Sequence, residues 1–356
     1  MTEDPGAGAG EQSQSPGRHM SAEIAEQPAV FESLLTDRSA LTEVARRIVE
    51  RRPRFALLAA RGSSDHAAIY AKYLVEVLLQ LPVGLVSPSS TTLYGAQPDL
   101  TDVLLISVSQ SGGSPDLLEV TETARRNGAT TVAVTNSPGS ALNTAAEMSV
   151  DIGAGTEQAV AATKTYSATL LTLYLLIDAI RGGSAEHAAR LPELADRALA
   201  PAEEVDEAAR RYRFADRVLT TGRGYSSATA SEAALKLAET SYLSARAYSG
   251  ADLLHGPVAA VDAETAVLAL CSSGKGGAAM REVLATVHER GAEICAIGSA
   301  ASTLPGAHAV DLPESAEEVA PVLEVLPVQR LALTLALERG EDPDRPRGLS
   351  KVTRTR

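Results

Sequence analysis

Glu232, Lys236 and Glu239 stand four and three residues apart in SEAALKLAETSYLSARAYSGADLLHGP, the stretch from Ser231 to Pro257. On a helix that spacing stacks the three charges on one face, with Ala233, Ala234, Leu235 and Leu237 covering the rest. Acid, base and cation are then available within one element. Taken alone, such a trio reads more often as a solvated ion-pair stripe, in which each pair contributes ~0.2–0.5 kcal/mol. His255 adds an imidazole downstream, its backbone fixed between Leu253-Leu254 and Gly256-Pro257 in a loop, where catalytic side chains are commonly carried. Of the remaining histidines, His66 could cap a helix, His19 lies in an N-terminal arm, and His187, His288 and His308 have no catalytic neighbour in sequence.

A second constellation follows the apolar run VLLI: Ser107, Ser109, Gln110, Ser111, Gly112, Gly113 and Ser114, before the helical pattern PDLLEVTETARR. Small hydroxyls, an amide and two glycines at a strand-to-helix turn form a cradle of donors for a phosphate dianion. Ser63-Ser64, after an earlier strand, strengthen that reading, although serine-rich turns also occur without any ligand. Neither a GKS/GKT nucleotide loop nor a GxGxxG fingerprint is present, so a sugar phosphate is expected rather than a nucleotide. Lys164 opens an apolar helix after GTEQAVAAT, and its ordinary reading is a surface pair with Glu157.

Elements of two kinds must position these residues. PRFALLAARG reads as a buried strand ending in a glycine turn, and residues 64–80 as the helix after it. The same phrase returns in the second half: Arg61-Gly62 and Arg223-Gly224 lie 162 positions apart. DVLLISVSQSGGS matches ETAVLALCSSGKGG at that spacing, and ARRNGATTVAVTNS matches HERGAEICAIGSA within one residue of it. Three pairs at one offset predict an internal duplication. Each copy alternates apolar strand, small-residue turn and helix, so the expected fold class is α/β: two tandem doubly wound parallel sheets, each a flavodoxin-like α/β/α sandwich. The expected boundaries are a disordered arm at 1–20, a first domain at 21–190, a second at 205–340 and a tail at 341–356. A charged, alanine-rich linker over about 183–211 should carry helix of its own.

The chain has 356 residues, 45% of them hydrophobic but only 3% aromatic, enough for two cores built from Ala, Leu and Val. A formal charge of −13 argues against nucleic acid or an anionic membrane as partner, while leaving a local anion pocket possible. Cys271 and Cys295 fit neither a disulfide framework nor a zinc site, which suits a reducing cytoplasm. No run of about 18 apolar residues and no signal-peptide pattern are evident, so a cytoplasmic enzyme needing neither metal nor cofactor is expected.

AEIAEQP (22–28), SSD (63–65), SQSG (109–112), TEQAVAATK (156–164), LKLAETSY (235–242), LLHGP (253–257) and LSKVT (349–353) occur in the order of the sugar isomerase (SIS) domain family. The chain resembles the isomerase half of glucosamine-6-phosphate synthase and stand-alone SIS-type glucosamine-6-phosphate deaminases, over about residues 20–356. The resemblance implies a phosphate cradle from Ser109, Gln110, Ser111 and Ser114, with Ser64, Val160 and Ala161 lining the sugar. It implies Glu239 as the base moving a proton between C1 and C2, and Lys236 as the group near O1. His255 would open the ring from the neighbouring subunit of a homodimer with shared sites, and Lys351 would form a Schiff base with a ketose or close a lid.

Several positions depart from the synthase pattern. Only about 20 residues precede the match, so glutamine is not expected as the ammonia source. Gly113-Ser114 replaces a glutamate-threonine pair, Ala162 replaces a serine, and Arg61 stands where the synthase has a small cysteine. The expected activity is ring opening and C2 proton abstraction on an amino-sugar 6-phosphate, first as a deaminase/isomerase. The alternatives are dehydration of N-acetylglucosamine 6-phosphate by loss of the C3 hydroxyl, and a non-catalytic sugar-phosphate sensor.

Overall fold

The computed structural model describes residues 15–351. Among the described residues, ten strands form two five-stranded sheets. The first contains β1 (Phe55–Ala59), β2 (Val83–Leu85), β3 (Val103–Ser109), β4 (Thr130–Thr135) and β5 (Met148–Asp151), in the order β2-β1-β3-β4-β5. The second contains β6 (Arg217–Gly222), β7 (Ala245–Ser249), β8 (Thr265–Leu270), β9 (Glu293–Gly298) and β10 (His308–Asp311), in the order β7-β6-β8-β9-β10. All strand pairs are parallel. The two sheets share one topology, and β1, β3 and β4 recur as β6, β8 and β9 at the offsets read from the sequence. Central strands such as β8 are buried along their whole length, which is why they read as continuous apolar runs rather than alternating ones.

One core cluster runs through both halves. It holds the helices Ser39–Arg51, Ser63–Leu74, Lys164–Ile180, Ser226–Ser241 and Ala320–Glu338 between the two sheets, while smaller clusters fill the outer face of each sheet. The charged stretch between the sheets contains two helices, Leu191–Ala198 and Glu203–Tyr212, as its composition suggested. Ala320–Glu338 belongs to the one helical segment among the described residues that is long and apolar enough to span a membrane, yet 83% of that window is buried inside the protein. It is a core helix, and Glu324 and Gln329 on it are fully buried.

The chain is ordered earlier than its composition suggests. A helix begins at Arg18 and buries Met20 completely, so the boundary expected at residue 20 falls inside a helix; residues 1–14 lie outside the described residues. Its first N–H groups are capped from the far end of the sequence: Gly17 N donates to Asp342 Oδ1 at 3.1 Å, and His19 and Met20 N donate to Asp344 at 2.8 and 2.9 Å. Two acidic residues of the tail thus complete a helix N-terminus. Arg347 lies 3.8 Å from the Tyr242 ring centroid and donates its backbone N–H to the Tyr242 hydroxyl at 2.8 Å. These contacts lead the tail towards the first sheet.

Gly112, in the turn after β3, has φ +60°, and a Cβ there would fall 2.0 Å from Ser140 Oγ. Gly112→Ala should therefore lose about 1–2 kcal/mol to left-handed backbone strain and a further ~1–3 kcal/mol to overpacking. A urea midpoint equal to that of the parent would contradict this.

Candidate active site

A cavity of about 400 Å³ opens at the carboxyl ends of β1 and β3, the switch point where parallel α/β sheets bind ligands. The size is within the roughly 300–1,000 Å³ usual for small-molecule sites. Its wall includes Arg61 to Ser64 from the turn after β1, Ser109, Gln110, Ser111 and Ser114 from the turn after β3, and Glu157, Val160 and Ala162 from the following loop. Leu235 and Glu239 enter from the Ser226–Ser241 helix of the second half, and Leu349, Ser350 and Lys351 from the tail.

The β3 turn is tied down from several sides. Gly112 N donates to Ser109 Oγ at 3.2 Å, Asn136 N to Gln110 O at 3.0 Å, and Leu142 N to Gly112 O at 3.1 Å. Ser114 is the N-cap of the helix Pro115–Arg126, with Pro115 in its first turn, and the first turn of that helix lies at the cavity, where Leu117 N donates to Asp116 Oδ1 at 2.9 Å. The loop before the Lys164–Ile180 helix is held by two buried carboxylates. Glu23 receives the N–H groups of Gln158 and Ala159, and Glu157 receives Thr163 N at 2.9 Å, Thr165 N at 3.0 Å and Thr165 Oγ1 at 2.7 Å. Lys351 Nζ closes this corner, 2.6 Å from both Glu157 Oε2 and Ala159 O. Burial pushes the Glu157 carboxyl up, but the Lys351 charge and the donated N–H groups outweigh it and hold the pKa below the ordinary value.

The charged trio is not a solvated stripe: two of its members are buried and Glu239 is half-buried on the cavity wall. Lys236 and Glu232 are fully buried, and Lys236 Nζ lies 3.3 Å from Glu232 Oε1 and in contact with Glu239 Oε1. Glu232 also reaches the first half, accepting from Ser63 Oγ at 2.9 Å and lying 2.8 Å from His66 Nδ1. Burial raises the Glu232 pKa, but the Lys236 charge and the hydrogen bonds from His66 and Ser63 lower it overall. Burial disfavours the charge on Lys236, and the two carboxylates reverse this and raise its pKa. Glu239 remains raised, by burial first and by the Glu232 charge, although Lys236 pulls it down. One carboxylate is therefore held ionised behind the site while its neighbour on the cavity wall is made more basic, the arrangement that suits a proton carrier.

Ser64, Ser109, Gln110, Ser111, Ser114, Val160, Glu239 and Lys351 all line this one cavity. Ala161 does not: it is fully buried, and Val160 and Ala162 on either side of it line the cavity. Lys236 sits behind Glu239 and is absent from the wall. His255 is exposed at the end of the short helix Gly250–Leu254, away from the wall, with no side-chain hydrogen bond among the described residues. The expected Lys164–Glu157 surface pair is not formed, because Lys164 is buried and bonds Glu26 at 2.5 Å, leaving Glu157 to Lys351. His66 bonds Glu232 instead of capping a helix. Glu23, Glu157 and His66 had signals in the AEIAEQP and TEQAVAATK motifs and beside SSD, but their roles need contacts distant in sequence.

The second half has the same turns, and its own side chains fill them. Ser226 and Ser272 donate to Glu324 Oε1 at 2.8 and 2.6 Å, Ser273 Oγ to Glu314 at 2.8 Å, and Lys275 and Gly276 N to Glu317 at 3.0 and 2.6 Å. Glu317, from a distant segment, occupies this helix N-terminus, whereas in the first half the only carboxylate bonded to the first turn among the described residues is that turn's own Asp116, whose Oδ1 accepts Leu117 N at 2.9 Å.

Lys236→Met should cost about 3–5 kcal/mol near neutral pH, because it removes the lysine charge from the fully buried Glu232 and the half-buried Glu239 beside it. Without the lysine the folded state holds their protons more tightly than the unfolded chain does. The deficit should therefore be largest above the folded pKa values and shrink as pH falls towards that of a free glutamate, about 4.3. Denaturation curves across that pH range check this, and a pH-independent deficit would contradict it.

The SIS domain model matches residues 51–179 and 212–339, one copy per sheet. The glutamine–fructose-6-phosphate aminotransferase [isomerizing] of Methanothermobacter thermautotrophicus is 33% identical over 340 residues, 93% of this chain and 56% of that protein. The protein of that name from Pyrobaculum aerophilum is 35% identical over 316 residues, 83% of this chain and 52% of that one. The chain thus spans about half the length of these relatives. Among solved structures, a Silicibacter pomeroyi protein described provisionally as a phosphosugar isomerase aligns with TM-score 0.83 at 33% identity, covering 91% of this chain and 99% of that one. The glucosamine-6-phosphate deaminase of Thermotoga maritima aligns with TM-score 0.78 at 22% identity, over 95% of this chain and 100% of that one, a likeness of fold. Two matched copies, one on each parallel sheet, make the chain a member of the SIS domain family.

Proposed function

We propose that this chain is an enzyme of the sugar-phosphate isomerase type that acts on an amino-sugar 6-phosphate, with glucosamine 6-phosphate as the first candidate, releasing ammonia. The observation that carries this reading is Glu239: a carboxylate of raised pKa on the wall of a cavity that also holds a serine-rich helix N-terminus. The turn Ser109–Ser114 takes the phosphate, and the linear sugar lies along Ser64, Val160 and Ala162 towards Glu239. Glu239 removes the C2 proton, the electrons of the C–H bond form a C1–C2 double bond as O1 takes up a proton, and Glu239 returns its proton to C1. The product is a C2 imine, which water converts to the ketose phosphate and ammonia. Lys236, between Glu232 and Glu239, stabilises the ionised base. Lys351 covers the sugar or condenses with the ketose carbonyl. His255, exposed on this chain, serves ring opening in the site of a second copy within a homodimer.

An N-acetylated sugar cannot follow the imine route, because its amide nitrogen is a poor participant. The same carbanion would then expel the C3 hydroxyl. Incubation with glucosamine 6-phosphate and, separately, its N-acetyl form separates the readings by ammonia assay, ultraviolet absorbance and NMR of the products. Ammonia and a ketose phosphate from the first substrate are expected. An absorbing enone from the second would transfer the assignment to a dehydratase, and binding without turnover to a sensor.

Glu239→Gln should abolish turnover while leaving substrate affinity within a few-fold. In the parent, kcat/KM should fall as acidification protonates Glu239, with an apparent pKa above the ~4.3 of a free glutamate. Unchanged turnover in the variant would remove Glu239 from the chemistry. Mixing inactive Glu239→Gln and His255→Ala proteins should restore part of the activity through hybrid dimers with one intact site. Full subunit exchange without recovery would place the site within one chain.

A further inference from the structure

The cavity contains a cation that the catalytic account above does not use. Arg61 lines the same wall as the Ser109–Ser114 turn, and only its Nε is hydrogen-bonded among the described residues, to Asp116 Oδ2 at 2.7 Å. The side chain of Asp116 is 1% exposed and that of Arg61 47%. Asp116 lies in the first turn of the helix that begins after Ser114, where its Oδ1 accepts the Leu117 N–H at 2.9 Å while its Oδ2 holds the arginine, so the carboxylate is fixed from both sides. The other cations near the cavity are engaged: Lys351 by Glu157, and Lys236 by Glu232 and Glu239. Hydroxyls and amides alone would have to hold a dianion in a cavity already containing Glu157 and Glu239, next to the negative Asp116.

We infer that Arg61, held through Nε by Asp116, binds the substrate's phosphate with its free Nη groups and determines selectivity for phosphorylated over neutral sugars. This rests on the sugar-phosphate reading and adds to it a charged contact. An arginine fork anchored at one edge is pre-organised for bidentate contact with phosphate oxygens. It also neutralises Asp116, whose charge would otherwise repel the ligand. Arg61 is a specificity residue in this account and Asp116 a positioning residue.

Calorimetry with glucosamine 6-phosphate, inorganic phosphate and unphosphorylated glucosamine at fixed ionic strength tests the assignment. Arg61→Gln should weaken both phosphate-bearing ligands by about 10- to 100-fold, as expected for lost hydrogen bonds to a charged group, without changing affinity for glucosamine. Arg61→Lys should be intermediate, since it keeps the charge and loses the fork. The double variant Arg61→Gln/Asp116→Asn should bind phosphate more tightly than Arg61→Gln, because the carboxylate charge that the lost arginine neutralised is removed as well. Wild-type affinity in Arg61→Gln, or an equal loss for phosphorylated and neutral ligands, would overturn the inference alone. A parent protein that binds neither phosphate-bearing ligand would overturn the sugar-phosphate reading and this inference with it.

Discussion

A fully buried lysine must be paired, and the pairing of Lys236 organises this molecule. Its partners lie one turn of helix away on either side, but one of them, Glu232, needs more than the lysine to be satisfied. Ser63 and His66 supply what it lacks, and both belong to the other half of the chain. The helices Ser63–Leu74 and Ser226–Ser241 are therefore bound by a polar contact within a mostly apolar core. That contact lies directly behind the cavity and fixes Glu239 against it. This one cluster sets the electrostatics of the wall and adds a polar tie to the apolar packing between the halves.

Duplication explains the frame and not the site. Both halves bring two small-residue turns to the carboxyl ends of neighbouring strands, and both begin a helix there. In the second half Glu314, Glu317 and Glu324 bind the hydroxyls and N–H groups that would otherwise receive an anion. In the first half those donors face an open cavity closed by pieces from elsewhere: Glu239 from the second copy and Lys351 from the tail. The two copies differ in how far the chain's own carboxylates fill these turns: Asp116 takes only the Leu117 N–H in the first half and leaves the cavity beside it open.

The tail shows how little composition says about position. Its Asp, Pro and Arg content suggests a segment unable to join a core, and indeed no helix or strand is formed beyond Glu338 among the described residues. Yet Asp342 and Asp344 cap the first helix, Arg347 stacks on Tyr242, and Lys351 arrives beside Glu157. Specific polar contacts, rather than apolar burial, hold it in place. The same principle accounts for Glu23, which joins the first helix to the loop at Gln158 and Ala159.

Periodicity and repetition in the sequence were sufficient for the sheets, the strand-turn-helix rhythm, the duplicated phrases and the helical stacking of Glu232, Lys236 and Glu239, because these depend on neighbours within a few turns or on copies of one pattern. The serine turn and Lys351 were legible as motifs for a related reason. Only the tertiary structure decided that the trio is not a solvated surface stripe, that Lys164 turns to Glu26 and releases Glu157, that Val160 and Ala162 rather than Ala161 meet the cavity, and that Arg61 stands over it beside Asp116. Each of those outcomes depends on contacts between segments tens to hundreds of residues apart, where desolvation and pairing are set by what the fold places opposite a charge.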